Sequence, residues 1–478
     1  MAAFRSIDRI NRHFGLALLA AIISLSGCAT HRPPPPDRTV ETPAPKIVTV
    51  AFHQPADATS SPTEGDAQDR PVPGTASLDA LVTAAVDENP RLVRLYRLYR
   101  AAAARSRYVE KLPDPKFSVN VFGNPIETAA GSQRANVSLS QLIPWLAKLD
   151  AEQQRSCFEA LAARADFLSE RLRVIAALKT GWIRLYVLDQ QIDVAEANQV
   201  LLKSLLDVAN ARLATGGASQ GDVLLGILEL SKIEERLLAD RRRRVATVAE
   251  MNRLIARQPD TPILGPTQLS VDVPTISAAE GLQLALSSQP EIQAARLRTK
   301  ATSWGIEVAR LSRRPNVALS ANYASTDDNR PASPVVRVGE DPWSIGLQIS
   351  MPIWQEKYDA LHDEATWKHL AAHGSVEDLE DGYASHILDL LTEAHRAAET
   401  AVLYQDTIMP QARQTLEADQ QSYSTGAVEF DRVVQGYRNL LTLELGHLQA
   451  VGDLGIAIAQ LERAAGASIP VSKSTPTP

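Results

Sequence analysis

The stretch "DPWSIGLQISMPIW", residues 341–354, alternates without a break. Trp343, Ile345, Leu347, Ile349 and Met351 fall on one side, and Ser344, Gly346, Gln348 and Ser350 on the other. A period of two predicts a strand with one apolar face. Three more stretches read the same way: "KFSVNV" (116–121), "NVSLSQ" (136–141) and "NVALSANY" (316–323). Their second face is small and uncharged, as for strands lining a water-filled lumen with their other face in lipid. The alternative, four half-buried strands of a soluble sheet, lacks a wider sheet for them to join. Four strands cannot close a barrel, for which about eight is the practical minimum. The strands are therefore expected to be shared among copies of the chain. Segments 123–134 and 324–341 are expected to be outer turns, with the remaining helices on the opposite side of the membrane.

Outward from these strands the chain repeats itself, a signal to be sought early. "LDALVTAAVDENPRLVRLYRLYR" from Leu78 is answered by "AAEGLQLALSSQPEIQAARLRTK" from Ala278. Pro90 matches Pro290 and Pro115 matches Pro315 at an offset of 200, whereas Pro144 matches Pro352 at 208. The offset changes between Pro115 and Pro144, so an insertion in the second copy lies there. "ATGGASQGDVLLG" (214–226) aligns with "YSTGAVEFDRVVQ" (423–435), setting Gly217 against Gly426 and Asp222 against Asp431 at 209. A unit of about 200 residues thus occurs twice: repeat 1 over 77–265 and repeat 2 over 266–466.

Each unit is expected to open with a helix interrupted at Pro90 or Pro290, because proline disrupts a helix interior. Two strands follow, then a very long helix. Between Trp145 and Leu213 there is no proline and a single glycine, and Leu161, Ala165, Leu168, Leu172 and Ile175 step by four and three, as a coiled-coil seam does. Such a helix would reach on the order of 100 Å. A glycine turn at 215–217 reverses it into a return helix ending near Arg257, and Thr425-Gly426 does the same in the second unit.

The amino end carries Arg5, Arg9 and Arg12, then an apolar run of 12 residues from Phe14 to Leu25. Roughly 20 are needed to span a bilayer, so residues 1–27 read as an export signal. Residues 31–76 hold ten prolines and read with Cys28 as a tether (28–76), while 467–478 read as a disordered tail. The net charge is −7, and it becomes −9 once three arginines and one aspartate leave with the signal. An acidic chain argues against nucleic-acid binding. Aromatics are 5% of a chain that is 45% hydrophobic; Ala and Leu carry the apolar content, which favours long helices. Beyond the signal no apolar run reaches 18 residues, so a membrane crossing must be a closed barrel. With Cys28 on the cleavage motif, Cys157 has no intrachain partner and a disulfide framework is excluded. Walker, Rossmann, nucleophile-elbow and zinc motifs are missing, so an enzyme is not expected and no cofactor is implied.

Leu25-Ser26-Gly27-Cys28 resembles the bacterial lipobox, which implies cleavage before Cys28 and its acylation; Ala29 behind it favours the outer membrane. The duplicated helix–strand–strand–long-helix–turn–helix unit, "SLSQLIPW" with its echo "LQISMPI", and the two glycine tips together resemble the TolC-type outer-membrane efflux channels over residues 77–466. The resemblance implies a mainly α fold with a small membrane β part: a homotrimer with a 12-stranded β-barrel, continued by a long periplasmic α-helical barrel. The implied partners are a periplasmic adaptor, an inner-membrane pump of the resistance–nodulation–division type and outer-membrane lipid. "KLPDP…SQLIPW" is most similar to the CzcC/CusC-like heavy-metal branch, which implies metal-cation efflux; multidrug or organic-compound efflux and type I secretion are the alternatives. The competing class is a lipid-anchored periplasmic helical scaffold with no pore.

Candidate sites follow. The tip residues Gly216, Gly217, Asp222, Gly426 and Asp431 are candidates for partner contact, the two aspartates equally for capping the return helices. Asp207 and Asp419 could ring a pore entrance and favour cations. His362, His369 and His373 share a helix face and are weak metal candidates against a plain polar stripe. The run Arg241–Arg244 is expected to be solvated.

Overall fold

The computed structural model describes residues 77–472, apart from 270–271, 332–333 and 335–336. The lipobox and Cys28 lie outside the described residues. The two repeats have the same element order. The first runs α1 (Leu78–Glu88), α2 (Pro90–Tyr108), β1 (Lys116–Thr128), β2 (Gly131–Ile143), α3 (Leu146–Ala214) and α4 (Gln220–Leu254). After a short strand β3 (Val273–Pro274) come α5 (Ala278–Ser288), α6 (Pro290–Leu311), β4 (Asn316–Asp327), β5 (Trp343–Ser350) and α7 (Gln355–Leu403). A π turn (Tyr404–Ile408) leads into α8 (Met409–Ser424), then α9 (Phe430–Ala465) and β6 (Val471–Ser472). Among the described residues no helix is long and apolar enough to cross a membrane.

Pro90 and Pro290 do not interrupt a helix; each is the first residue of a new one, where its missing N–H costs nothing. The break belongs to the residue before. Asn89 accepts from the amides of Arg91 and Leu92, and its Nδ2 donates 2.8 Å to the Leu254 carbonyl at the end of α4. Gln289 accepts from the Glu291 amide and donates to the carbonyls of Arg463 and Ala464 at the end of α9. One side chain thus starts one helix and finishes another, once per repeat.

Helix α3 is unbroken over 69 residues. Its buried stripe runs through Ala162, Ala165, Val174, Leu178, Leu185, Ala195 and Leu202. The expected seam is therefore displaced: Ala165 is buried, but Leu161 is exposed. Helix α7 covers the corresponding stretch of repeat 2 and is cut short by the π turn. Trp145 matches Trp354 at an offset of 209, whereas the left-handed tip glycines, Gly216 (φ +76) and Gly426 (φ +80), match at 210. The extra residue between them coincides with the π turn, which is how a helix absorbs a one-residue insertion. This corrects the tip alignment: Gly216 pairs with Gly426, and the helix-capping positions Ser219 and Glu429 correspond.

The disorder expected from residue 467 does not hold for residues 467–472. Ala467 and Ile469 are buried, and Val471–Ser472 pairs antiparallel with Val273–Pro274. Cys157 is a free thiol.

Candidate functional site

The four-stranded sheet has the order β1-β2-β4-β5, antiparallel throughout. Strand β1 runs on to Thr128 and β2 starts at Gly131, so the expected outer turn of 123–134 shrinks to two residues. Register puts like beside like in rows across all four strands. Phe117, Leu139, Ala321 and Ile345 form one row, and Val119, Val137, Tyr323 and Trp343 another. On the other face Ser118, Ser138, Asn322 and Ser344 line up, with Ser118 and Ser138 hydroxyls 3.0 Å apart. A one-residue slip would turn every row over, so the alternation pins the register. The apolar face is open to its surroundings: Trp343 is 70% and Leu347 63% exposed. Within the chain β1 and β5 each keep one unpaired edge.

At the other end of the long helices, two turns lie together. Ser219 and Asp222 form a reciprocal capping box at the start of α4, at 3.2 and 2.9 Å. Asp222 therefore has a local task. Asp431 sits in the first turn of α9, whose cap makes no side-chain hydrogen bond, so its expected capping bond is not made. Between the turns stands Arg212, which no sequence motif marks. Its guanidinium lies 4.4 Å from the Tyr423 ring centroid and donates to the Tyr423 carbonyl. Cβ atoms placed on Gly217 and Gly426 would meet the same guanidinium at 3.5 and 3.3 Å. Tyr423 packs on Phe430 at 5.4 Å, within a core that includes Leu205, Ala209, Val433 and Tyr437. Burial pushes the Tyr423 hydroxyl up in pKa while Arg212 pulls it down.

Ion pairs tie the hairpins together above the tip. Arg438 on α9 reaches Glu229 on α4 at 2.6 Å, and Lys232 joins it at 2.7 Å. Hydrogen bonding from Arg438 holds the Glu229 carboxyl below the usual carboxylate range, against the opposing effect of burial. Asp419 pairs with Arg432 at 3.3 Å, so its charge is already met; Asp207 is exposed. His369 contacts the Thr302 hydroxyl at 3.1 Å and His373 faces Glu377 at 3.4 Å. Among the described residues no group of three or more His, Cys, Asp or Glu is placed to hold a metal ion. The arginine run is not simply solvated: Arg241 reaches Glu196, Arg243 reaches Asp240 and Arg244 reaches Asp189.

Residues 281–467 match the profile of the outer membrane efflux protein family. The chain is similar to that family over its second repeat. It is 23% identical, over 91% of its length and 95% of the relative's, to the pyoverdine export outer membrane protein OpmQ of Pseudomonas putida. Its fold is that of the outer-membrane channel OprN (TM-score 0.70, 20% identity, 82% of this chain and 90% of that one). It is equally that of CusC (TM-score 0.70, 15% identity, 82% and 92%), studied for transmembrane channel formation. The matched profile is described as that of outer membrane efflux proteins, and the solved structures of the same fold are outer-membrane channels.

Proposed function

We propose that three copies close their sheets into a 12-stranded barrel and their long helices into a periplasmic duct. Together they form the passive outer-membrane exit of a tripartite efflux system. One observation carries this reading: a four-stranded sheet whose apolar rows, such as Phe117-Leu139-Ala321-Ile345 and Val119-Val137-Tyr323-Trp343, share one exposed face, with an unpaired edge at each side. Lipid satisfies the face, and only closure with further copies satisfies the edges. Strands β1 and β5 run in opposite directions, so ring closure continues the antiparallel order. A periplasmic adaptor and an inner-membrane pump of the resistance–nodulation–division type supply the driving force. Acylated Cys28 anchors the chain to the outer membrane.

The tips form the gate. Arg212 on Tyr423 holds the two hairpins of one copy together, and docking of the pump complex separates them. Gly216, Gly217, Asp222, Gly426 and Asp431 lie where a partner would touch, and exposed Asp207 leaves a negative charge at the entrance. The test is reconstitution in planar bilayers together with migration in mild detergent. A heat-modifiable trimer with ion conductance is expected; a monomer without conductance overturns the duct in favour of a periplasmic scaffold.

For the cargo, a small polar lining is permissive and selection rests with the pump. The strand-flanking motifs favour heavy-metal cations through their branch resemblance; the full-length relative, described as a pyoverdine exporter, favours an organic cargo. A deletion strain challenged with copper, silver, zinc, cobalt and cadmium beside dyes, detergents and antibiotics separates the two. Sensitivity confined to metals supports the first, and confined to organic compounds the second.

A further inference from the structure

Formal charge is almost absent from the regular part of the sheet. Across residues 116–121, 135–143, 316–325 and 343–350 the single charged side chain is Lys116. It is the first residue of β1, at the end of the sheet where the helices join. Cross-strand register continues from it through Ser140 and Ser320 to Gly346. That row belongs to the small polar face, beside the row of Ser118, Ser138, Asn322 and Ser344. Lys116 is exposed. Among the described residues no carboxylate pairs with it, whereas Lys111 nearby is held by Glu110.

The other end of the sheet is arranged differently. Arg134 pairs with Asp327, Arg330 with Glu127 and Arg337 with Glu340. The cations there are neutralised, and Lys116 is not. The duplication sets it apart as well: at an offset of 200 its counterpart is Asn316, which is uncharged. Asp114, two residues before β1, is the nearest carboxylate in sequence on that side, and its counterpart is Arg314. The Arg314 guanidinium lies 5.7 Å from the Trp145 ring centroid. Taken together, the four positions are positive.

Geometry gives this charge a reach across the lumen. Twelve tilted strands about 4.8 Å apart enclose a space on the order of 20 Å wide. A lysine side chain pointing inward from that wall ends within a Debye length of the axis, about 8–10 Å at ordinary salt. Rows of hydroxyls and amides do not discriminate by sign, but a ring of like charges does.

We propose that Lys116 from three copies forms a ring of ammonium groups at the inner mouth of the barrel and sets the sign of what passes. The ring favours solutes of net negative charge, such as organic carboxylates, over bare metal cations. This rests on the ring-of-three reading above. To an otherwise permissive lining it adds one residue that discriminates between the two cargo classes.

The experiment uses the full-length chain in planar bilayers across a KCl gradient, read as the reversal potential. Lys116→Glu is expected to lower the chloride-to-potassium permeability ratio about two- to fivefold, with Lys116→Ser between it and wild type. Asp114→Asn is expected to shift the ratio the other way. Lys111→Ser, which removes a cation already paired, is expected to leave it unchanged. Asp207 at the far entrance is common to all these proteins and cancels in the differences. A second measurement adds the charge after folding. With Cys157→Ser as background, Lys116→Cys channels already conducting are treated with methanethiosulfonates. A sulfonate-bearing reagent is expected to lower the ratio and an ammonium-bearing one to raise it. One ratio for wild type, Lys116→Glu and both modified forms, in channels of normal conductance, overturns the ring and leaves the duct standing. A wild-type chain that does not conduct overturns the duct itself.

Discussion

The Arg212 guanidinium sits 4.4 Å from the centroid of the Tyr423 ring and bonds to that residue's own carbonyl. One side chain near the end of α3 is thereby fixed to both the ring and the backbone of α8, the helix that forms the other tip. Stacking of this kind contributes about 0.5–2 kcal/mol depending on desolvation, and a charge-assisted hydrogen bond adds to it. Arg212→Ala is expected to raise single-channel conductance in bilayers. A double-mutant cycle with Tyr423→Leu should return a coupling of about 1–2 kcal/mol in unfolding experiments. Unchanged conductance with intact trimers would remove Arg212 from the gate.

Acid should loosen the same region. The Glu229 carboxyl has a depressed pKa in the folded chain because Arg438, and secondarily Lys232, hydrogen-bond its charged form. A group whose folded pKa lies below its unfolded value contributes stability above the unfolded pKa, near 4.5. That contribution fades as pH falls through the folded pKa. Thermal unfolding followed from pH 7 down to about pH 3 should therefore show a loss below pH 5 that is smaller in Glu229→Gln. Equal slopes for the two proteins would exclude the Glu229 pair as a source.

Asn89 and Gln289 each serve two helices, so removing either side chain is expected to cost more than an ordinary cap. Loss of an N-cap costs about 1 kcal/mol, and the carbonyls left buried at the end of α4 or α9 add about 1–3 kcal/mol. Asn89→Ala and Gln289→Ala should each lower the unfolding midpoint, whereas Asn329→Ala, in the loop after β4, should shift it far less. A shift no larger than that of the loop variant would mean that water replaces the lost bonds.

On the sheet, face decides tolerance. Leu347→Lys places a charge on the apolar side, where a mid-bilayer lysine costs about 2–4 kcal/mol. Gln348→Lys, its chain neighbour, points to the opposite face. Fractionation of outer membranes should recover Gln348→Lys at wild-type levels and Leu347→Lys at reduced levels. Equal recovery would contradict a lipid-facing sheet.

The strands were readable because period two is a local property and because "WSIGLQISM" violates it nowhere. The duplication was readable from prolines whose spacing the fold preserves. Other features were not local. The one-residue π turn leaves no motif, and it shifted the tip alignment so that Gly217 seemed to match Gly426 where Gly216 does. Arg212 looked like any arginine near a helix end, since its meaning depends on Tyr423, which lies 211 residues away. Leu161 fitted a heptad, yet burial in a single chain follows the neighbouring alanines. Asn89 and Gln289 were hidden behind the more conspicuous prolines that follow them.

The two unpaired strand edges also have a genetic reading. In the proposed ring of three, a copy damaged at one edge would still join a neighbour through the other, and so spoil whatever ring it enters. With intact and edge-damaged chains made in equal amounts, random assembly in threes leaves about one ring in eight free of damage. An edge-damaging allele is therefore expected to be dominant, while an allele producing no chain at all is recessive.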